Sequence, residues 1–241
     1  MSDLKFHSAL VCCGNFQRPG LALDFTPYVD FSNKKTTEDQ VRIEAVLEDV
    51  FEPESRYLHV GVGNSILAQK FCAKGVVIDG VTVSDAEKNY ASSLNIANYS
   101  VYKANKYHRN FMDYFDKIQF DFIIDNNLAS FACCQYHFYQ MLDNYIACLK
   151  PGAKILTDQR GMDWALLDPC LIMDFDDLRN VLRHLPVRVS KVTDMVFAIE
   201  LLALDHVPEH EKLSVYARRY QDGQTYIESF NPDTAESDDG Y

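Results

Sequence analysis

The sequence predicts an α/β fold: a doubly wound, mostly parallel sheet with helices on both faces and an antiparallel hairpin near its C-terminal end. Three observations carry this. An apolar run, Tyr57-Leu58-His59-Val60, enters a tight turn, Gly61-Val62-Gly63-Asn64-Ser65, and helix-forming residues Ile66 to Phe71 follow. From there to residue 157, short apolar runs alternate with helix-length segments, the pattern of parallel strands joined by crossover helices. Two β-rich runs, Val187 to Val192 and Met195 to Leu202, then flank Thr193-Asp194, which reads as a hairpin turn.

Taken in order, residues 1–35 are irregular, because Gly14, Pro19, Gly20 and Pro27 break any long helix. Aromatics are scattered through this stretch (Phe6, Phe16, Phe25, Tyr28, Phe31). It is either an arm packed on the domain surface or a lid over a substrate pocket. Thr37-Glu38-Asp39-Gln40 has the form of a capping box, and Val41, Ala45, Val46 and Val50 follow at helical spacing. Strands are expected near 56–60, 77–83, 99–103, 120–124 and 154–157, with helices near 64–73, 85–95 and 135–148. Lys150-Pro151-Gly152-Ala153 reads as the turn before the fifth strand. Asp174-Phe175-Asp176-Asp177 opens another helix, with acids suited to the positive end of the helix dipole. The two closing runs bring the strand count to seven. Residues 206–241 form an extension whose last eleven residues, Asn231 to Tyr241, contain four acids and no basic residue, a composition of disordered tails.

At 241 residues the chain fits one domain with elaborations. Its formal net charge of −12 argues against a broad nucleic-acid footprint. The seven cysteines are odd in number and contain no C-x-x-C, so neither a disulfide framework nor a zinc site is indicated. No stretch has the pattern of a signal peptide or a membrane span. The expectation is a cytoplasmic protein with reduced, mostly buried thiols.

The two glycines after the first strand leave bare backbone for a ligand to approach, and the N–H groups at the start of the following helix favour polar or anionic ligand atoms. Three further segments stand in register with this turn: Gly80-Val81-Thr82-Val83-Ser84, Phe120-Asp121-Phe122-Ile123-Ile124-Asp125 and Leu149-Lys150-Pro151-Gly152-Ala153-Lys154-Ile155-Leu156. Together they resemble the motifs of the class I S-adenosylmethionine-dependent methyltransferases, over roughly residues 36–204. The second is similar to the G-x-T-x-S form of the cyclopropane fatty acid synthase branch, and the last to the L-K-P-G-G turn of the family.

The resemblance implies a Rossmann-like α/β fold and S-adenosylmethionine as cofactor, with S-adenosylhomocysteine as product. It implies a cofactor-binding set of His59, Gly61, Gly63, Asn64, Thr82, Asn105 and Asp125. Gly61 and Gly63 would receive the methionine portion and ribose, Thr82 a ribose hydroxyl, and Asn105 the adenine amino group. Asp125 would lie near the reacting methyl. The chain departs from the family at three of these positions, where acids are usual: His59, Thr82 and Asn105. A neutral His still accepts one hydrogen bond, and Asn accepts through its carbonyl oxygen.

Asp125 and His137 are the catalytic candidates, with Tyr136 beside the histidine. Imidazole has a pKa near working pH and suits a general base, although Tyr136-His137-Phe138-Tyr139 also reads as helix-surface or core packing, the reading slightly preferred. Asp125 and Asp158, at the ends of two strands, could offer oxygens to Mg²⁺ or Ca²⁺, but Asp commonly ends strands and no metal is assigned. Trp164 either lines an apolar substrate pocket or packs in the core. Residues after the fourth strand do not form the N-P-P-Y signature of enzymes acting on nucleobase amines, which argues further against a DNA substrate. The acceptor expected is a small molecule, methylated at O, N or C. The alternatives are a catalytically inactive cofactor-binding partner and an aminopropyl transferase on the same fold.

Overall fold

The computed structural model describes residues 30–108, 111–115, 118–132, 134–165, 171–183 and 185–202. The readings of residues 1–29, of the extension from 206 onward with its acidic tail, and of Cys12, Cys13, Cys133 and Cys170 lie outside the described residues.

The expected elements appear in the expected order. They are α1 (Glu38–Val50), β1 (Arg56–Val60), α2 (Ile66–Cys72), β2 (Val77–Thr82), α3 (Asp85–Ser93), β3 (Tyr99–Lys103), β4 (Phe120–Ile124), α4 (Gln135–Cys148), β5 (Leu149–Asp158), α5 (Gln159–Met162), α6 (Phe175–Leu182), β6 (Val187–Lys191) and β7 (Val196–Leu201). The seven strands form one sheet in the order β3-β2-β1-β4-β5-β7-β6. β1 pairs in parallel with β2 and with β4, so the strand order reverses beside β1. In open α/β sheets a crevice forms at such a reversal, beyond the carboxyl ends of the strands.

β7 runs antiparallel to both β5 and β6. The antiparallel strand therefore lies one place in from the edge, and β6 is the edge. Composition explains the choice. Val196, Phe197, Ala198 and Ile199 are all buried, as a strand covered on both faces requires, whereas β6 alternates apolar and polar residues and is only partly covered.

Side-chain alternation along β1 divides the interior into two cores. Leu58 and Val60 pack with Phe138, Leu142 and Tyr145 of α4 and with Leu178 and Val181 of α6. Tyr57 packs on the other face with Ile43 and Leu47 of α1 and Leu67 and Phe71 of α2.

Four details differ from the sequence reading. Thr37 sits at the N-cap of α1 but makes no side-chain cap bond, and the Gln40 side chain, rather than reaching back to Thr37, donates to Glu44 Oε1 at 3.0 Å. The buried face of α1 is Gln40, Ile43, Glu44, Val46 and Leu47, while Val41 and Val50 are exposed. Polar residues are buried there because Lys70 pairs with Glu44, and the apolar periodicity is blurred as a result. β5 begins at Leu149, before the Pro-Gly pair, because Leu149 pairs with Phe120 and the register then shifts to Phe122–Lys154. Lys150 holds this bulge through Asp121, with 2.8 Å to each carboxylate oxygen. The stretch after β5 contains α5, capped by Asp158, which accepts from the Arg160 N–H at 2.9 Å. The capping box at Asp174 and Asp177 is formed in full. No helix among the described residues is long and apolar enough to cross a membrane.

α5 lies hard against the loop after β4. A Cβ at Gly161 would stand 1.7 Å from the carbonyl oxygen of Asn126, so no side chain fits without moving backbone. Gly161→Ala is expected to lower stability by about 3 kcal/mol, the upper range of overpacking, as read from the urea midpoint. An unchanged midpoint would show that the two segments are not in contact.

Candidate functional site

A cleft of about 330 Å³ opens along the carboxyl ends of β1, β2, β3 and β4, within the size of small-ligand sites. Its floor is the turn after β1. Gly61 and Gly63 both adopt positive φ, +81° and +48°, which glycine permits at no steric cost. A Cβ added at Gly61 would meet nothing within 4 Å, and one at Gly63 would touch only Phe31 Cβ, at 3.5 Å. The turn is fixed by the Gly61 N–H, which donates to Val81 O at 2.8 Å. Asn64 donates through Nδ2 to Lys34 O at 3.0 Å and to Thr36 Oγ1 at 2.9 Å, tying the segment before α1 across the glycine turn.

At the end of β2 lies Thr82, followed by Ser84 and by Glu87 of α3. Glu87 is buried, and its carboxylate accepts from the Thr82 hydroxyl at 2.6 Å and from the Phe31 N–H at 3.2 Å. Thr82 is therefore in the cleft, but its hydroxyl proton is given to an acid that sequence reasoning missed. The available signal was Ser84-Asp85-Ala86-Glu87, which has the form of a capping box. Only half of that box forms: Ser84 Oγ accepts from the Glu87 N–H at 3.3 Å, while the Ser84 N–H goes to Thr82 Oγ1 at 3.0 Å. The Glu87 side chain turns to the cleft instead.

After β3 come Asn105, Lys106 and Tyr107; after β4 come Asp125, Asn126, Asn127, Ser130 and Phe131. Asn105 accepts from the Tyr107 N–H through Oδ1 at 3.0 Å. Asp125 is buried, and its Oδ2 accepts from Lys106 Nζ at 2.8 Å and from the Tyr145 hydroxyl at 2.7 Å. Burial lowers the Lys106 pKa, against the opposing pull of Asp125. Burial first, then the Asp125 charge, raises that of Tyr145. Lys106 carried no sequence signal, since a Lys after a strand ordinarily reads as solvated. Phe131 is held at φ +60°, a conformation that costs a non-glycine residue about 1–2 kcal/mol and is typical of functional loops. The rim is completed by Phe31, by Lys35 to Thr37, by Asp39 and Gln40, and by the half-exposed Trp164.

Three expected residues are not in the cleft wall. His59 is fully buried beneath it, in register with Gly80 and Ile124. By alternation it shares the face of Tyr57 rather than that of Val60. Neither ring nitrogen of His59 has a hydrogen-bond partner among the described residues, and burial holds its pKa down at about 4. His137 is buried in the first turn of α4, its Nδ1 3.3 Å from Cys134 Sγ, and it does not line the cleft. Asp158 is also outside. Its two oxygens receive Arg42 Nε and Nη2, each at 2.8 Å, so the Asp125–Asp158 pair is not assembled. Among the described residues no group of three or more His, Cys, Asp or Glu side chains is arranged to hold a metal ion.

No protein-family model matches the chain, and no curated protein matches it in sequence. Solved structures do match. N-methyltransferase NodS from Bradyrhizobium japonicum WM9 superposes with a TM-score of 0.52 at 11% identity, over 68% of this chain and 97% of that one. CurJ carbon methyltransferase gives 0.50 at 12% identity, over 68% of this chain and 54% of that one. An O-methyltransferase family protein from Burkholderia thailandensis gives 0.51 at 10% identity, over 68% and 56%. The chain shares the α/β fold of these three structures. Within it the residues present suit an S-adenosyl ligand. The glycine cradle is open where side chains would fill it, and Glu87 and Asn105 supply polar groups along one wall.

Burial of a neutral His59 has a measurable cost. Its folded pKa of about 4 lies below the ordinary 6.5, so between these values the unfolded chain binds a proton that the folded chain does not. Stability falls as pH drops through this window, by about 3 kcal/mol once below it. Urea titrations of the wild type and of His59→Leu, compared from pH 7.5 to 4.5, are expected to diverge. The variant keeps more of its stability in acid. Parallel curves would show that the ring is solvated.

Proposed function

We propose that the protein is an S-adenosylmethionine-dependent methyltransferase acting on a small-molecule acceptor at O, N or C. The observation that carries this reading is the left-handed Gly61 turn at the strand-order reversal, whose missing side chain leaves the cleft floor open. Similarity to NodS, also solved in complex with S-adenosyl-L-homocysteine, supports the choice of cofactor. The sulfonium cofactor, when bound, supplies an electrophilic methyl group.

The chain's own residues contribute binding and alignment, which account for much of the acceleration of an in-line displacement. Gly61, Gly63 and Asn64 offer backbone and a fixed turn. Glu87, with Thr82 behind it, offers carboxylate oxygens to hydroxyl groups, and Asn105 lies on the adjoining wall. Asp125 is engaged by Lys106 and Tyr145, so it acts as an oriented, charge-compensated group rather than as a free base. His137 takes no part in the step, being away from the cleft. Phe31, Phe131 and Trp164 suit a neutral acceptor with apolar surface, and the net charge of −12 weighs against a nucleic acid.

We assign cofactor binding to residues 36–205 and keep residues 1–35 as an N-terminal arm or lid, of which Phe31 and Lys35 lie at the cleft rim. The extension 206–241 stands apart from this assignment. Buried thiols at Cys72 and Cys148 favour a reducing, cytoplasmic setting.

Calorimetric titration with S-adenosylmethionine and S-adenosylhomocysteine tests this reading. Gly61→Ala places a methyl in the cleft and is expected to weaken binding at least about tenfold. Gly152→Ala is the control. Gly152 has nearly the same φ, +78°, and similar open space, but it lies outside the cleft, so its variant carries the same backbone strain and leaves affinity unchanged. Wild-type protein that binds neither ligand at millimolar concentration would contradict the proposal.

A further inference from the structure

Lys106 is the most deeply buried cation of the cleft, its side chain only 8% exposed. Its ammonium is held by four oxygens: Asp125 Oδ2 at 2.8 Å, Asn127 O at 2.9 Å, Leu128 O at 3.0 Å and Ser130 Oγ at 3.4 Å. Three of the four are uncharged, so among the described residues the Asp125 carboxylate is the only anion bonded to it. That carboxylate is drawn on further by the Tyr145 hydroxyl. The two charges cancel at close range. Without Lys106, Asp125 would present a bare negative charge to this end of the cleft, and a cation entering it would be attracted strongly. With Lys106 in place that attraction is offset, while a cationic ligand still has to shed its hydration.

We propose that Lys106 is a specificity-determining residue that sets the balance between a cationic sulfonium ligand and its uncharged thioether counterpart. This rests on the reading of the cleft as an S-adenosyl site. The two ligands differ by one methyl group and one charge, so the charge of the 106–125 pair governs their affinity ratio more than the shape of the cleft does. In the wild type the pair is neutral, and the thioether is held at least as tightly as the sulfonium.

The test is a charge ladder, read by calorimetry with S-adenosylmethionine and S-adenosylhomocysteine at one pH and ionic strength. Lys106→Met leaves the pair at −1 and is expected to shift the affinity ratio toward the sulfonium by about tenfold or more, as unit charges within a cleft of this size require. Asp125→Asn leaves it at +1 and shifts the ratio the other way. The double variant is neutral again and returns the ratio close to the wild-type value. Because the single variants move the ratio in opposite directions, either one alone decides the matter if the other does not fold. A wild type that binds both ligands, with the same ratio in every folded variant, overturns this inference while leaving the cofactor reading intact. A wild type that binds neither overturns both.

Discussion

The structure depends on β1 being buried on both faces and ending in bare backbone. Because β1 pairs with β2 on one side and β4 on the other, it stands where the strand order reverses, and its carboxyl end opens into the cleft. Both cores are anchored on it, Leu58 and Val60 on one face and Tyr57 on the other. Any side chain at Gly61 would intrude where these constraints converge. His59 shows the same constraint from beneath: a polar ring at a central strand position, buried and without a hydrogen-bond partner among the described residues.

A second layer of contacts closes the cleft from the side of α1. Arg42 grips Asp158 at the end of β5. Asp39 accepts from Asn126 Nδ2 at 2.6 Å, and the Phe31 N–H reaches Glu87. These bonds run between segments distant in the chain and bring the rim residues to the strand ends. Charge inside the cleft is handled in the same way, by pairing rather than by exposure. Lys106 and Asp125 lie together, and Glu87 is stabilised by a hydroxyl and an amide.

Much of this was legible in the sequence. The glycine turn, the alternation of strands and helices and the closing hairpin are local patterns, and local patterns fix φ, ψ and periodicity. Gly61, Gly63, Asn64, Thr82, Asn105 and Asp125 all reached the cleft because strand ends carried them there. What escaped depends on partners far along the chain. Glu87 has no local signal beyond a capping pattern, and its place in the cleft is set by contacts with Phe31 and Thr82. Lys106 has no local signal either, because its oxygen partners all lie at the end of β4 or in the loop after it. The buried face of α1 was misassigned because Glu44 is compensated by Lys70, a pairing that no periodicity reveals. His59 was placed in the site by motif position, whereas strand alternation sends it to the opposite face. His137 and Asp158 were drawn in by residue type and by nearness in sequence to the strand ends, although their side chains are engaged elsewhere.

The central claim is that an S-adenosyl ligand occupies the cleft formed by the four strand ends. Amide hydrogen exchange, followed by mass spectrometry with and without saturating S-adenosylhomocysteine, tests it most directly. The account predicts slowed exchange in the turns after β1, β2, β3 and β4, around residues 60–66, 82–87, 104–107 and 125–131. The β6–β7 hairpin, remote from the cleft, keeps its exchange rates. Protection confined to other segments, or none at saturation, would contradict it.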